Sequence, residues 1–392
     1  MIASRSRVAA LCSCAGPFTC KIDHGMYDAD VFVLGGGPAG LAAAIAARRA
    51  GFSVVLADGN RPPIDKACGE GLMPDGLAAA RELGIVFPDG CGGNIRGIKF
   101  QGDGYSVAGD FPDGYGLTIR RTTLQTVLVD RAQHAGVKLH WGSPVTAMSG
   151  NTVTLPGRQI TARWLIGADG SQSSMRRWAG LDSFARDDQR FSYRQHFRIA
   201  PWSSFVEVYW GAGCQFYVSP TAEEEICVAL LTRDPRWRVR EWLHRVPELA
   251  ARVASAQPAS PERGRAIANR RLRRLTHGSI ALIGDASGTI DPITGEGLCL
   301  AFRQAQALAT AMVAGDLYLY ERKHRVLARR PRFMADFMLL MDRSAFLRRR
   351  SLAALERRPE LFRKLLAMHV GELRPVHFAK AATALGLAVI AS

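Results

Sequence analysis

The sequence predicts a mixed α/β fold, with a parallel-sheet domain interleaved with an antiparallel β-sheet domain and followed by C-terminal helices. Three observations predict it. A glycine-rich turn joins an apolar run to an alanine-rich helical run between Tyr27 and Asn60. Apolar and polar residues alternate over several short runs from Phe191 to Thr232. A strand, a glycine-rich turn and a helix then return between Gly278 and Met312.

The first of these sets the register. Asp30 to Leu34 is a short apolar, β-branched and aromatic run, suited to a buried parallel strand. Leu41 to Ala50 switches to alanine, leucine and isoleucine with arginines near the end, a helix that Gly51 closes. Phe52 to Leu56 is the second strand, so the unit is a right-handed β-α-β crossover. Gly35, Gly37 and Gly40 fit G-x-G-x-x-G at its turn. The first glycine permits the tight turn, the second lets backbone approach a pyrophosphate, and the third lets helix pack on strand. Asp58 ends the second strand, where a carboxylate accepts both hydroxyls of an adenosine ribose. Strand, turn, helix, strand and acid together predict a bound dinucleotide.

Further along, Thr122 to His134 has helical spacing of Leu124, Val127, Leu128 and Ala132, with strands on either side. The run ending "GADGSQSS" (Gly167 to Ser174) is a strand entering another glycine turn. The alternating region reads as an antiparallel sheet with one covered face, in which Gly211 to Phe216 is a hairpin and not a second dinucleotide turn. Trp237 to Ala256 reads as one helical piece. The expected organisation is a disordered or over-long N-terminus (1–25), a first nucleotide-binding part (26–180), a β-rich substrate domain (181–275), a last nucleotide-binding part (276–315) and a helical region (316–392).

Composition is that of a globular protein of 392 residues, but 51 Lys+Arg against 35 Asp+Glu give a net charge of +16. Much of the excess lies in Glu321 to Arg374, where 15 Lys/Arg oppose 6 Asp/Glu. Its mixture of arginines with large apolar residues predicts basic amphipathic helices and a peripheral contact with an anionic membrane surface; the alternative is that the helices pack on the body with their arginines in water. No nucleic-acid partner is expected. The eight cysteines follow no repeating spacing, which points to a reducing, cytoplasmic location, and Cys12, Cys14 and Cys20 lack a fourth ligand at zinc-like spacing, so no metal site is expected. No apolar run approaches the roughly 20 residues of a membrane span.

Taken together, "GGGPAG" with Asp58, "GADGSQSS", and "GDASGTIDPITGEGL" (Gly284 to Leu298) resemble the FAD-dependent oxidoreductases of the p-hydroxybenzoate hydroxylase type, and among them the geranylgeranyl reductases. The resemblance runs from about Tyr27 to Met312 and implies a Rossmann-like FAD-binding domain. It implies one non-covalent FAD, with NAD(P)H as electron donor. Gly35, Gly37, Pro38, Ala39, Gly40, Asp58 and Gly59 would hold the adenosine and pyrophosphate side. Asp169 and Gly170 would stand near the pyrophosphate, Asp285 at the ribitol, and Gly284, Pro292, Gly295, Glu296 and Gly297 along the turn beside the ring. Arg121 matches an arginine placed near the FAD, and Lys66, Gly69 and Val145 complete the expected contacts.

"KACGEGLMP" (Lys66 to Pro74) is similar to the Cys-Gly-x-Gly loop that the reductases place against the ring. Cys68 is therefore a candidate catalytic residue; from the residues alone a small packing side chain is the leading reading. His196 is a candidate acid or base facing a substrate cavity, or a plain sheet histidine. Tyr217 and Pro220 in "FYVSP" match part of the reductases' aromatic lipid motif, whose tryptophan is missing. Cys299 reads as packing, and Glu296 either as an acid at a helix N-terminus or as a neighbour of the ring. The expected reaction is reduction of a C=C bond in an apolar isoprenoid-like substrate. The alternative is an NAD(P)H-driven monooxygenase hydroxylating an aromatic or polyketide-like ring. Halogenation is disfavoured by the lack of a W-x-W-x-I-P-like stretch, and a pure electron carrier by the large β insertion.

Overall fold

The structure, a computed structural model, describes residues 26–371; the side chains of residues 186–188 and 268 are not described. The expectations for 1–25, for Cys12, Cys14 and Cys20, and for the last residues of the helical region lie outside these.

The chain opens with β1 (Ala29–Leu34), α1 (Pro38–Arg49) and β2 (Val54–Asp58), followed by β3 (Gly71–Leu72), α2 (Pro74–Glu82), β4 (Gly93–Ile95), β5 (Gly97–Gly102), β6 (Tyr105–Asp110) and β7 (Gly116–Thr118). Next come α3 (Arg121–His134), β8 (Lys138–Trp141), β9 (Ala147–Ser149), β10 (Thr152–Leu155), β11 (Arg158–Gly167) and α4 (Ser174–Trp178). The β-rich part contains β12 (Phe184–Arg198), β13 (Phe205–Gly211), β14 (Cys214–Ala222), β15 (Glu225–Thr232), α5 (Val239–Trp242), α6 (Pro247–Val253), β16 (Gln257–Pro258) and β17 (Arg263–Leu272). β18 (Thr276–His277), β19 (Ile280–Leu282), α7 (Gly297–Val313), α8 (Leu317–Leu327), α9 (Arg329–Arg343), α10 (Ala345–Arg357) and α11 (Pro359–His369) complete it.

The first sheet runs β19-β11-β1-β2-β8 with all four pairings parallel, and β18 closes one edge antiparallel. β1 lies between β2 and β11, with Leu34 level with Ala57 on one side and Gly167 on the other. β1 is buried along its whole length, as a central strand covered on both faces must be. Helices α1, α3 and α7 cover one face, and the β9–β10 hairpin with α4 covers the other. The chain order reverses across β1, so the carboxyl ends of β1, β2 and β11 open a crevice where ligands of such sheets bind.

The second sheet, β16-β12-β15-β14-β13-β5-β6 with β17 beside β12, corrects two expectations. β5 and β6 belong to it, β5 pairing β13 in parallel and β6 pairing β5 antiparallel at the edge, although sequence order assigns them to the first nucleotide-binding part. The helical piece at Trp237 to Ala256 is broken into α5, a 3-10 turn (Leu243–Arg245) and α6, with Pro247 starting the last. α9 to α11 pack their large apolar residues, among them Met334, Met338, Leu355 and Phe362, onto Phe100, Val206 and Trp210 of this sheet. Gly109 makes room for them, because a Cβ there would stand 2.7 Å from Leu366 Cδ1.

Candidate active site

At the end of β1 the three glycines have separate physical jobs. Gly35 has φ +112°, and a Cβ on it would lie 2.5 Å from the Ala168 carbonyl oxygen; one on Gly40 would lie 1.9 Å from the Gly35 oxygen. Both positions are closed by backbone. Gly37 is different: its φ of −73° suits any residue, and a Cβ there would meet only Arg121 Nη2, at 3.9 Å. Gly37 is the N-cap of α1, with Pro38 at the first turn and no side chain capping the helix, so free N–H groups face that space. Asp58 braces the same turn, accepting from the Gly36 N–H at 2.7 Å through one oxygen and from the Asn60 N–H at 2.7 Å through the other. Trp141, at the end of β8, packs its ring where a Cβ on Gly36 would stand. Gly59 faces Pro144, and Val145 packs beneath it against the far-face core.

Asp169 is engaged within its own turn. Its carboxylate accepts from Ser173 Oγ (2.5 Å) and from the Ser174 N–H (2.6 Å), capping α4, while Gly170 at φ +83° faces open space. Asp285 sits in the 3-10 turn Gly284–Ser287, paired with Arg265 at 2.7 Å. Gly284, φ +61°, lies against Ala39 of α1. Asp291 caps the next 3-10 turn, Pro292–Thr294, which Gly295 ends in a left-handed conformation, and Gly297 then opens α7 with no atom near its Cβ position.

One expectation is corrected at this turn. Tyr217 does not present its hydroxyl to a cavity: the O–H donates to the Ile293 carbonyl at 2.7 Å, and burial pushes its pKa well above the usual phenol range. It pins the turn to the second sheet, together with the buried Arg190–Asp291 pair at 3.0 Å. Glu296 stands at the N-cap of α7, an acid at a helix N-terminus, although its side chain makes no capping hydrogen bond. Its carboxylate is buried and bonded to Arg330 of α9 at 3.0 Å, and Arg330 also reaches Asp75 at 3.1 Å. Cys299 packs in the same place, donating to Asp75, and burial raises its thiol pKa.

Between β2 and β3 runs the Cys68 loop. Lys66 and Gly69 are exposed, Cys68 is half-buried, and Glu70 is fully buried with φ +60°, a left-handed conformation uncommon for a non-glycine residue. Cys68 Sγ accepts from the Glu70 N–H at 3.4 Å. The Glu70 carboxylate points behind the loop, accepting from the Arg121 N–H at 3.0 Å and meeting His196 Nε2 at 2.7 Å. His196 Nδ1 lies 2.8 Å from Ser260 Oγ and 3.2 Å from Arg194 Nη1. Arg194 can only donate, so Nδ1 accepts and the ring hydrogen stands on Nε2, towards Glu70. His196 is therefore part of the wall behind the loop and does not face a cavity. Cys227 brings a third ligand-type atom within 4.8 Å of Glu70 and His196, but the adjoining Arg194 guanidinium opposes a cation there.

Arg121 connects these pieces. Burial pulls its guanidinium below its ordinary pKa, against the opposite pull of charge at Cys68 and Asp285, with Arg265 adding a like charge. Among the described residues, Arg121 Nε and Gln125 Oε1 are buried without a hydrogen-bond partner, while Gln125 Nε2 holds the Gly36 carbonyl. Open faces at Gly37, Gly69 and Gly297, free helix N–H groups and these unpaired atoms all fit an elongated dinucleotide that carries a diphosphate.

The third turn contains a pH-sensitive support. His324 is buried, with Nε2 3.1 Å from Ser287 Oγ, and burial, then Arg332 and Arg325, lower its pKa to about 3. The folded value lies below the unfolded value of about 6.5, so this contribution to stability is complete above pH ~6.5 and is lost as pH falls towards 3, by about 1.4 kcal/mol per pH unit. His324→Gln is expected to flatten the fall in denaturant stability between pH 6.5 and 4.5. An unchanged slope would assign it elsewhere.

Comparison with known proteins agrees with this geometry. A family model described as "FAD binding domain" matches residues 28–315. Menaquinone reductase of Mycobacterium tuberculosis is 35% identical over 163 residues, 39% of this chain and 40% of that protein, so the match spans well under half of that relative. Digeranylgeranylglycerophospholipid reductase 1 of Methanothermobacter thermautotrophicus is 26% identical over 324 residues, 74% of this chain and 79% of that protein. The 12-dehydrotetracycline 5-monooxygenase/anhydrotetracycline 6-monooxygenase of Streptomyces rimosus is 30% identical over 177 residues, covering 42% of this chain and 35% of that protein. A solved flavoprotein/dehydrogenase from Cytophaga hutchinsonii superposes with a TM-score of 0.79 at 20% identity, covering 92% of this chain and 98% of that one, a likeness of fold.

Proposed function

We propose a reaction from one premise: this chain belongs to the FAD binding domain family and is an FAD-dependent oxidoreductase. The reading supported best is reduction of a C=C bond in an apolar isoprenoid-like substrate, of the kind carried by prenylated quinones or geranylgeranyl lipids. The observation that carries it is Cys68, half-buried beside the open face of Gly69, with its sulfur in the field of Arg121. Bound FAD, once reduced by NAD(P)H or another donor, supplies a hydride.

The chain's own residues supply the rest. The α1 N-terminus and the Gly37 face hold the diphosphate, and Asp58 holds the ribose. Cys68 Sγ–H gives its proton to the alkene carbon next to the one that receives the hydride, so the product gains two hydrogens. The thiolate left behind faces the Arg121 guanidinium and regains a proton from water.

The reduced holoenzyme, mixed anaerobically with a menaquinone or a geranylgeranyl lipid, is expected to reoxidise and yield a product two mass units heavier. Cys68→Ala is expected to slow that step by about 100-fold, the scale of one general acid, with FAD content unchanged. The named monooxygenase relative supports the second reading, hydroxylation. A product that gains one oxygen atom in air would establish that reading and overturn the first.

A further inference from the structure

The inner sides of α8 and α9 are used up in packing, and their outer side carries a repeating pattern. Leu319, Val326, Phe333 and Leu340 stand seven residues apart and are 41%, 53%, 38% and 53% exposed. Arg322, Arg329 and Arg343, also exposed, follow Leu319, Val326 and Leu340 by three residues. Spacings of three and four keep all of them on one helical face. The face continues across the junction of the two helices. Ala328 keeps right-handed helical torsions (φ −80°, ψ −10°), and the Arg332 N–H bonds the Ala328 carbonyl at 3.2 Å. Phe346 at the start of α10, 70% exposed, lies close by in sequence with the Arg350 guanidinium 5.3 Å from its ring.

We propose that this outer face of α8 and α9 seats the protein on an anionic lipid surface, apolar side chains entering the headgroup boundary and arginines meeting lipid phosphates. A stripe that alternates apolar and guanidinium groups is satisfied where hydrocarbon and negative charge lie within a few ångströms of each other, as they do there. A second copy of the chain is a poorer occupant, because it would set arginine rows against one another with Asp336 as the single acid in register on each. The residues that the sequence offers for membrane contact in α9 to α11, such as Met338 and Phe362, are instead buried against the second sheet. The inference stands apart from the identity of the reaction, since it concerns neither FAD nor Cys68.

The full-chain holoenzyme is tested by sedimentation with phosphatidylcholine vesicles, with and without phosphatidylserine, at physiological salt. Wild type is expected to sediment with the anionic vesicles and to release as salt rises. Val326→Glu with Leu340→Glu is expected to lower the bound fraction at least tenfold. Arg322→Gln and Arg329→Gln are expected to weaken binding roughly fivefold each. FAD content and melting temperature should hold in all variants, since every altered side chain is exposed. Failure to bind at any lipid charge, or equal binding by wild type and variants, overturns the proposal. So does a wild-type dimer in solution that the glutamate variants dissociate, because the face then belongs to a second copy.

Discussion

Replacing Gly37 with phenylalanine is expected to give a folded protein that purifies without flavin colour and does not take up added FAD. The backbone at Gly37 is in an ordinary extended conformation, and among the described residues the atom near a Cβ there is the tip of Arg121 at 3.9 Å. The substitution therefore costs the apoprotein little and places an aromatic ring where the diphosphate must approach the α1 N–H groups. A loss of at least about 4 kcal/mol of binding, a thousandfold or more in Kd, is expected. Gly40→Val is the contrasting control. Its Cβ would overlap the Gly35 carbonyl, so it should lower the melting temperature of the apoprotein as well. Absorbance near 450 nm per mole of protein, with thermal unfolding of both apoproteins, separates the two effects. A Gly37→Phe protein carrying one FAD would show that the cofactor does not cross this turn.

The contrast between Gly37 and Gly40 also shows how far the sequence could be read. Spacing alone assigned the turn at Gly35 and the helix contact at Gly40, because both are local demands met within a few residues. That the first two strands are parallel neighbours followed from the same local unit. Side chains whose partners are distant were misread. Tyr217 bonds a carbonyl 76 residues away, a partner that no local pattern specifies. β5 and β6 look like any short strands, and their membership of the second sheet depends on pairing with β13 about a hundred residues later. Trp141 and Glu70 were passed over for the same reason, although a glutamate between two glycines in a loop was a visible signal of unusual backbone.

Glu70→Ala is expected to be the most destabilising single change in the site that leaves the glycines intact. Glu70 is 1% exposed, and its carboxylate is the common partner of the Arg121 N–H and His196, with Arg194 Nε at 3.6 Å. Truncation leaves a buried amide unpaired and Arg194, itself 2% exposed, with Asp65 as its remaining carboxylate. Removing one side of such a buried charged cluster costs about 3–5 kcal/mol. The backbone adds a second signature. At φ +60° alanine is strained and glycine is not, so Glu70→Gly should be more stable than Glu70→Ala by about 1 kcal/mol, the reverse of their usual order. Glu70→Gln, which keeps an acceptor for Arg121, should fall between Glu70→Ala and wild type. Because the loop carries Cys68 and the Glu70 side chain holds the start of α3, the alanine variant should also bind FAD more weakly. Denaturant unfolding of the apoproteins, with FAD titration of each, measures both. An alanine variant as stable as wild type would refute the anchoring role. A glycine variant less stable than alanine would refute the strain at this position.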